Sequence, residues 1–129
     1  MELNLDTGAG HYQIRAYAND FIQVNEQKIY HSLIVMPDQL IAPWPPHSIA
    51  DLTADSLQTI IDLHPSIVLL GSGESLAFPD PALFKVFYQQ KIGIEVMNNG
   101  AACRTYSVLM SEGRHVAAAL LIDSSAYPK

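Results

Sequence analysis

The chain has 129 residues, of which 49% are hydrophobic and only 16% charged, and its mean hydropathy is +0.12. That balance excludes an intrinsically disordered polymer, which needs low hydrophobicity and high net charge, and the length suits one α/β domain, residues 1–129, around one core. With 13 acidic against 7 basic residues the formal charge is -6, which argues against a nucleic-acid surface, since that must neutralise several phosphates.

Residues 1–10 contain two acids, no Lys or Arg and no apolar run, so they lack the charged start and the core of a signal peptide. They are expected to be poorly ordered, as are residues 124–129. The longest apolar stretch, Val116 to Ile122, is far short of the roughly 20 residues that span a bilayer. The single cysteine, Cys103, cannot form an internal disulfide, which suits a reducing, cytoplasmic setting. A soluble cytoplasmic protein is the expectation.

The first half reads as strands. Tyr12 to Tyr17 alternates, with Tyr12, Ile14 and Ala16 on one side and Gln13 and Arg15 on the other. Asn19-Asp20 is a turn, Phe21 to Val24 a second strand, and Asn25 to Lys28 a hairpin loop. Ile29 to Met36 then reads as one longer strand ending at Pro37. Leu40 to Ala42 suggests an edge strand, because Pro43, Pro45 and Pro46 around Trp44 lack the N–H groups that continued pairing needs. The second half alternates helix and strand. Thr53 is a cap for a helix with Leu57, Ile60, Ile61 and His64 inward, stopped by Pro65. Ile67 to Leu70 is continuously apolar, as befits a strand covered on both faces. Asp80 caps a second helix with Pro81 at its first position, running to Gly93 with Leu83, Phe84, Phe87 and Tyr88 buried. Ile94 to Met97 is a strand, Ala101 to Ser111 a third helix, and Val116 to Ile122 a last covered strand. The order predicts an α/β fold: a mixed central sheet with parallel βαβ units in the second half, plus an amino-terminal antiparallel hairpin layer.

No motif carries catalysis. Gly71-Ser72-Gly73-Glu74 follows a strand, where backbone N–H groups can face a polar or anionic ligand; the competing reading is a tight strand exit. It is not a dinucleotide fingerprint, because no third glycine opens the next helix, so no cofactor is predicted. Asn98-Asn99-Gly100 precedes a helix, leaving the N–H groups of Ala101, Ala102 and Cys103 available for negative charge unless an asparagine caps them. Arg104 would add a fork for a carboxylate or phosphate. Cys103, in the first turn, would have its thiol pKa lowered by the helix dipole, yet Cys103, Tyr106 and Met110 share the spacing of a core stripe. His11, His31, His47, His64 and His115 have no metal-ligand spacing, and no Gly-x-Ser-x-Gly elbow opens a helix. Catalytic and metal-binding residues are therefore none. Trp44 and Pro45 are candidate protein-binding contacts, the alternative for Trp44 being a lid over the core.

One resemblance emerges from these residues. Gly93-Ile94-Glu95-Val96-Met97, Gly100 to Tyr106, Leu109 to Glu112, Gly113-Arg114 and Val116 to Leu120 resemble the bacterial, archaeal and mitochondrial domain family related to respiratory complex I assembly factor 3. Leu69 to Gly73 and the strand region before Trp44 extend the likeness over nearly the whole chain. The resemblance implies a compact α/β domain with a mixed sheet and an assembly-type role through a protein partner, and it supplies no catalytic residues to carry over. The chain departs from the usual Asp-Thr-Gly of that family with Asn98-Asn99-Gly100, and Ser107 stands for a common asparagine. Losing the acid at position 98 favours structure or binding over catalysis. The leading expectation is a non-enzymatic protein-binding or assembly factor. The alternative is a ligand-binding protein or an enzyme with a pocket for a small polar or anionic ligand, built from Gly71 to Glu74 and Asn98 to Arg104.

Overall fold

The computed structural model describes residues 11–123, so the two expectations about chain ends fall outside the described residues. In chain order the elements are β1 (Ile14–Tyr17), β2 (Ile22–Val24), β3 (Gln27–Ile29), β4 (Leu33–Val35), β5 (Leu40–Ile41), α1 (Ala54–Ile61), β6 (Ile67–Gly71), α2 (Lys85–Gln89), β7 (Gly93–Met97), α3 (Asn99–Ser111) and β8 (Val116–Leu120). Single 3-10 turns at Ile49–Asp51 and Pro81–Phe84 precede α1 and α2. Strands β1, β2 and β3 form an antiparallel sheet in that order, and a second sheet runs β5-β4-β8-β6-β7. In the second sheet β6 pairs in parallel with both β7 and β8, while β4 is antiparallel to β8 and β5. This is the mixed α/β fold with an antiparallel amino-terminal layer that the alternation of elements predicts.

The period of two in the five-stranded sheet divides the core. Ile34, Val68, Leu70, Ala117 and Ala119 face one cluster with Leu57, Ile60 and Ile61 of α1 and Phe87 of α2. Leu33, Val35, Leu69, Ala118 and Leu120 face the other, with Ala102, Cys103 and Tyr106 of α3 and with Ile22, Val24 and Ile29 of the small sheet. Covered on both faces, β6 and β8 have no polar side to show, which is why they read as continuous apolar runs. Among the described residues no helix is long and apolar enough to cross a membrane.

Four local readings change in three dimensions. Ile29 to Met36 is two strands, because Ile29 pairs with Ile22 in the small sheet whereas Leu33 pairs with Leu120 in the large one. Buried Ser32 makes the transfer: its Oγ accepts from Ile122 N at 2.8 Å and donates to Ile122 O at 3.3 Å. The hairpin loop is only Asn25-Glu26, with Val24 opposite Gln27 and Asn25 at a φ of 52°. The second helix opens as a 3-10 turn capped by the Asp80 side chain, and Tyr88 lies on its exposed side. His64 is exposed at a φ of 57°, beyond the last turn of α1, rather than on its inward stripe. The cap itself is reciprocal: Ser56 N donates to Thr53 Oγ1 and Thr53 N to Ser56 Oγ.

Trp44 is a correction of a different kind. Only 1% of it is exposed, so it offers no contact surface to a partner. Its backbone N–H donates to Ser32 O at 2.8 Å and its indole Nε1–H to Ser56 O at 3.2 Å, which satisfies the ring's one polar group inside the apolar cluster beneath α1. Of the prolines that suggested exposure, Pro43 and Pro45 are exposed and Pro46 is buried.

Candidate functional site

Parallel pairing of β6 with β7 brings their carboxyl ends to one edge, and the loops that leave them run side by side. Ser72 N donates to Met97 O at 2.8 Å, and Asn99 N to Gly73 O at 2.8 Å. Asn99 joins three segments. Its side chain is buried, with Oδ1 accepting from Gly73 N at 3.0 Å and Nδ2 donating to Leu121 O at 2.9 Å. Gly71 makes room for this contact, since a Cβ there would strike Asn99 Oδ1 and Leu120 Cδ2. Gly73, at a φ of 105°, turns the chain where an L side chain would be strained. Ser72 shapes its own loop by donating to Ser75 O and accepting from Ala77 N.

The amino end of α3 is closed from within. Asn98 Oδ1 accepts from Ala101 N at 2.8 Å and Asn98 O from Ala102 N at 2.9 Å, so two of the N–H groups expected to await an anion are already paired. Asn98 and Asn99 thus commit their side-chain oxygens to the scaffold. Outside them lies a cavity of about 310 Å³ lined by Gly73, Glu74, Asn98, Asn99, Gly100 and Arg104 together with Tyr17, Ala18 and Asn19. Gly71 and Ser72 do not line it. Ser72, Gly73 and Glu74 border a neighbouring cavity of about 290 Å³ with His47, Ser48 and Asp123.

Tyr17 ends β1, and Ala18 and Asn19 follow it in the turn. No local pattern marks them, because the residue they meet is 87 positions away: Arg104 Nη1 donates to the Tyr17 hydroxyl at 2.7 Å. Gly100 lets that pair sit close, its Cα facing the Tyr17 ring edge and Arg104 Nη1. Arg104 has five N–H donors, of which one is used on the Tyr17 oxygen among the described residues, and with the phenol it makes a cationic, donor-rich wall, while Glu74 supplies a carboxylate.

Cys103 belongs to the core rather than to this wall. Burial pushes its thiol from 9.0 to about 12, outweighing the opposing influence of the Arg104 charge. α3 starts at Asn99 rather than Ala101, so Cys103 lies past the first turn where the dipole effect was expected, and its thiol is only 2% exposed in an apolar cluster. Tyr106, one turn on, is also held protonated by burial and then by the Asp38 charge, and its hydroxyl donates to Tyr12 O at 2.7 Å. Among the described residues no three His, Cys, Asp or Glu side chains group closely enough to hold a metal ion.

The fold has well-matched solved relatives. An NMR structure of a Xanthomonas campestris protein superposes with a TM-score of 0.83 at 37% identity, covering 100% of this chain and 98% of that one. A Bordetella pertussis protein described as a Mth938-like domain superposes with a TM-score of 0.81 at 29% identity, covering 95% and 93%. In sequence, the chain is 31% identical over 118 residues to NADH dehydrogenase (ubiquinone) 1 alpha subcomplex assembly factor 3 of Xenopus tropicalis, covering 90% of this chain and 63% of that protein. The chain therefore spans about three fifths of the length of such relatives. A family model matches residues 14–121, from the first strand through the last, and the chain belongs to that family, described as Protein of unknown function (DUF498/DUF598).

Proposed function

We propose that the chain is a non-enzymatic, protein-binding factor of the assembly type, working in the cytoplasm as one α/β domain. The observation that carries this reading is the loop between β6 and α2, where Leu76 is 55% and Phe78 68% exposed. Two large apolar side chains two positions apart on one loop leave apolar surface in water that a protein contact would cover. The names of the assembly-factor relatives support the same class of role, and the net charge of -6 argues for a protein rather than a nucleic acid as partner. The test is affinity purification of the tagged chain from its native cell, in buffer and in detergent, beside a Leu76→Ser, Phe78→Ser double variant. A reproducible partner depleted by the double variant is expected. Recovery of no partner, or an unchanged partner set from the variant, overturns the reading.

A second reading is favoured by the cavity beside Arg104. A small polar or anionic ligand there would contact Gly73, Glu74, Gly100 and Arg104, with Asn98 and Asn99 holding the frame. A thermal-shift screen of anions and metabolites tests it, since a ligand bound only by the folded state raises the melting temperature. A flat screen removes it.

A further inference from the structure

We infer that the groove between β1 and α3 receives the carboxyl-terminal residues of a partner protein as an added strand, with the terminal carboxylate held by Arg104 and Tyr17. This rests on the protein-binding reading and goes beyond it by naming a surface and the chemistry it recognises.

The backbone supplies the first argument. β1 is the outer strand of the small sheet and pairs only with β2, so its other edge carries ladder groups with no strand partner among the described residues. Such an edge is a ready template for an extended peptide. The space beside it is the second argument. A groove of about 450 Å³ runs between β1 and α3, with Ile14 and Ala16 on one wall and Cys103 and Ser107 on the other. Ile14 and Ala16, with the buried Cys103 behind the opposite wall, suit an apolar side chain.

Charge supplies the third. Among the described residues the charged side chains lining the groove are Arg15 and Arg104, two of only 7 basic residues in a chain of net charge -6, and none of those residues lining it is acidic. Arg104 and Tyr17 also border the polar cavity beyond, so they stand where the apolar groove ends. Tyr17 is the last residue of β1, the point at which an added parallel strand runs out of ladder. Donors gathered at that end recognise a chain terminus better than a mid-strand acid. Glu74, across the polar cavity, opposes the incoming charge and sets a limit on affinity.

The probe is a displayed library of random heptapeptides with free carboxyl termini, panned on the whole chain, followed by titration of the enriched peptides. Peptides ending in an apolar residue are expected, with the carboxamide form binding about tenfold more weakly. Arg104→Gln should weaken binding about fivefold and Glu74→Gln should strengthen it. Ser107→Trp, which fills the groove from an exposed position, should abolish binding, while Val108→Trp on the same helix but outside the groove should not. Unchanged melting temperatures of these surface variants exclude unfolding as the cause. No enrichment, equal binding of acid and amide, or an unaffected Ser107→Trp protein overturns the inference. So does octanoate displacing the peptide with equal affinity, which would make the groove a site for a free organic acid. A native partner still captured by Ser107→Trp removes the groove but leaves the protein-binding reading standing.

Discussion

Asn99 is the residue on which the loop cluster depends, and its replacement by alanine tests the architecture most directly. The side chain is 7% exposed and makes two hydrogen bonds, from Gly73 N at 3.0 Å and to Leu121 O at 2.9 Å. Truncation removes both and leaves a donor and an acceptor in a region that water reaches poorly. Each lost bond is worth about 1 kcal/mol and each stranded group adds a desolvation cost of roughly the same size, so the expected loss is about 2–4 kcal/mol. For a chain of this length that corresponds to a fall of roughly 8–16 °C in melting temperature. Urea denaturation followed by Trp44 fluorescence reads it out, as Trp44 is the only tryptophan and is buried in the native state. Asn98→Ala is the comparison. It removes only the Ala101 cap bond, at 2.8 Å, and should cost about 1 kcal/mol. If Asn99→Ala lies within about 0.5 kcal/mol of the unmutated protein, or costs no more than Asn98→Ala, the three-way join is not what holds this edge together.

Three further outcomes follow from the same structure. Trp44→Ala should destabilise by about 3–5 kcal/mol, measured by urea titration monitored by circular dichroism; a near-neutral effect would contradict its packing beneath α1. Gly71→Ala should cost about 1–3 kcal/mol, because the new methyl can be relieved only by moving Asn99 or Leu120. Stability should also fall in alkali. Cys103 and Tyr106 both have folded pKa values raised above their ordinary values of 9.0 and 10.0, so above those values the unfolded chain releases protons that the folded chain retains. The Cys103 contribution is whole below pH 9 and is lost as pH climbs towards about 12, at about 1 kcal/mol per pH unit. Urea midpoints at pH 7, 9, 10 and 11 should show the decline, with a shallower slope in Cys103→Ala; parallel slopes would refute the assignment.

What could be read from the residues alone was whatever depends on nearest neighbours along the chain. The continuous apolar runs at 67–70 and 116–122 mark strands covered on both faces, Thr53 and Asp80 mark helix starts, and the second-half alternation implies parallel pairing, all because period and capping are local. The family, too, is legible in the stretch from Gly93 to Leu120. What needed the tertiary structure was everything set by a distant partner. Ile29 and Leu33 separate into different sheets because Ile22 and Leu120 claim them. Trp44 turns inward because Ser56, twelve residues on, accepts its indole proton. The Cys103 thiol is pushed up, not down, because burial from both layers outweighs the Arg104 charge, and the helix end on which the local reading relied begins earlier, at Asn99. Tyr17 joins Arg104 across 87 positions, and no spacing rule reaches that far. Sequence decided which residues want to be strand, helix or interior; only the fold decided which of them would meet, because hydrogen bonds and desolvation act through space and not along the chain.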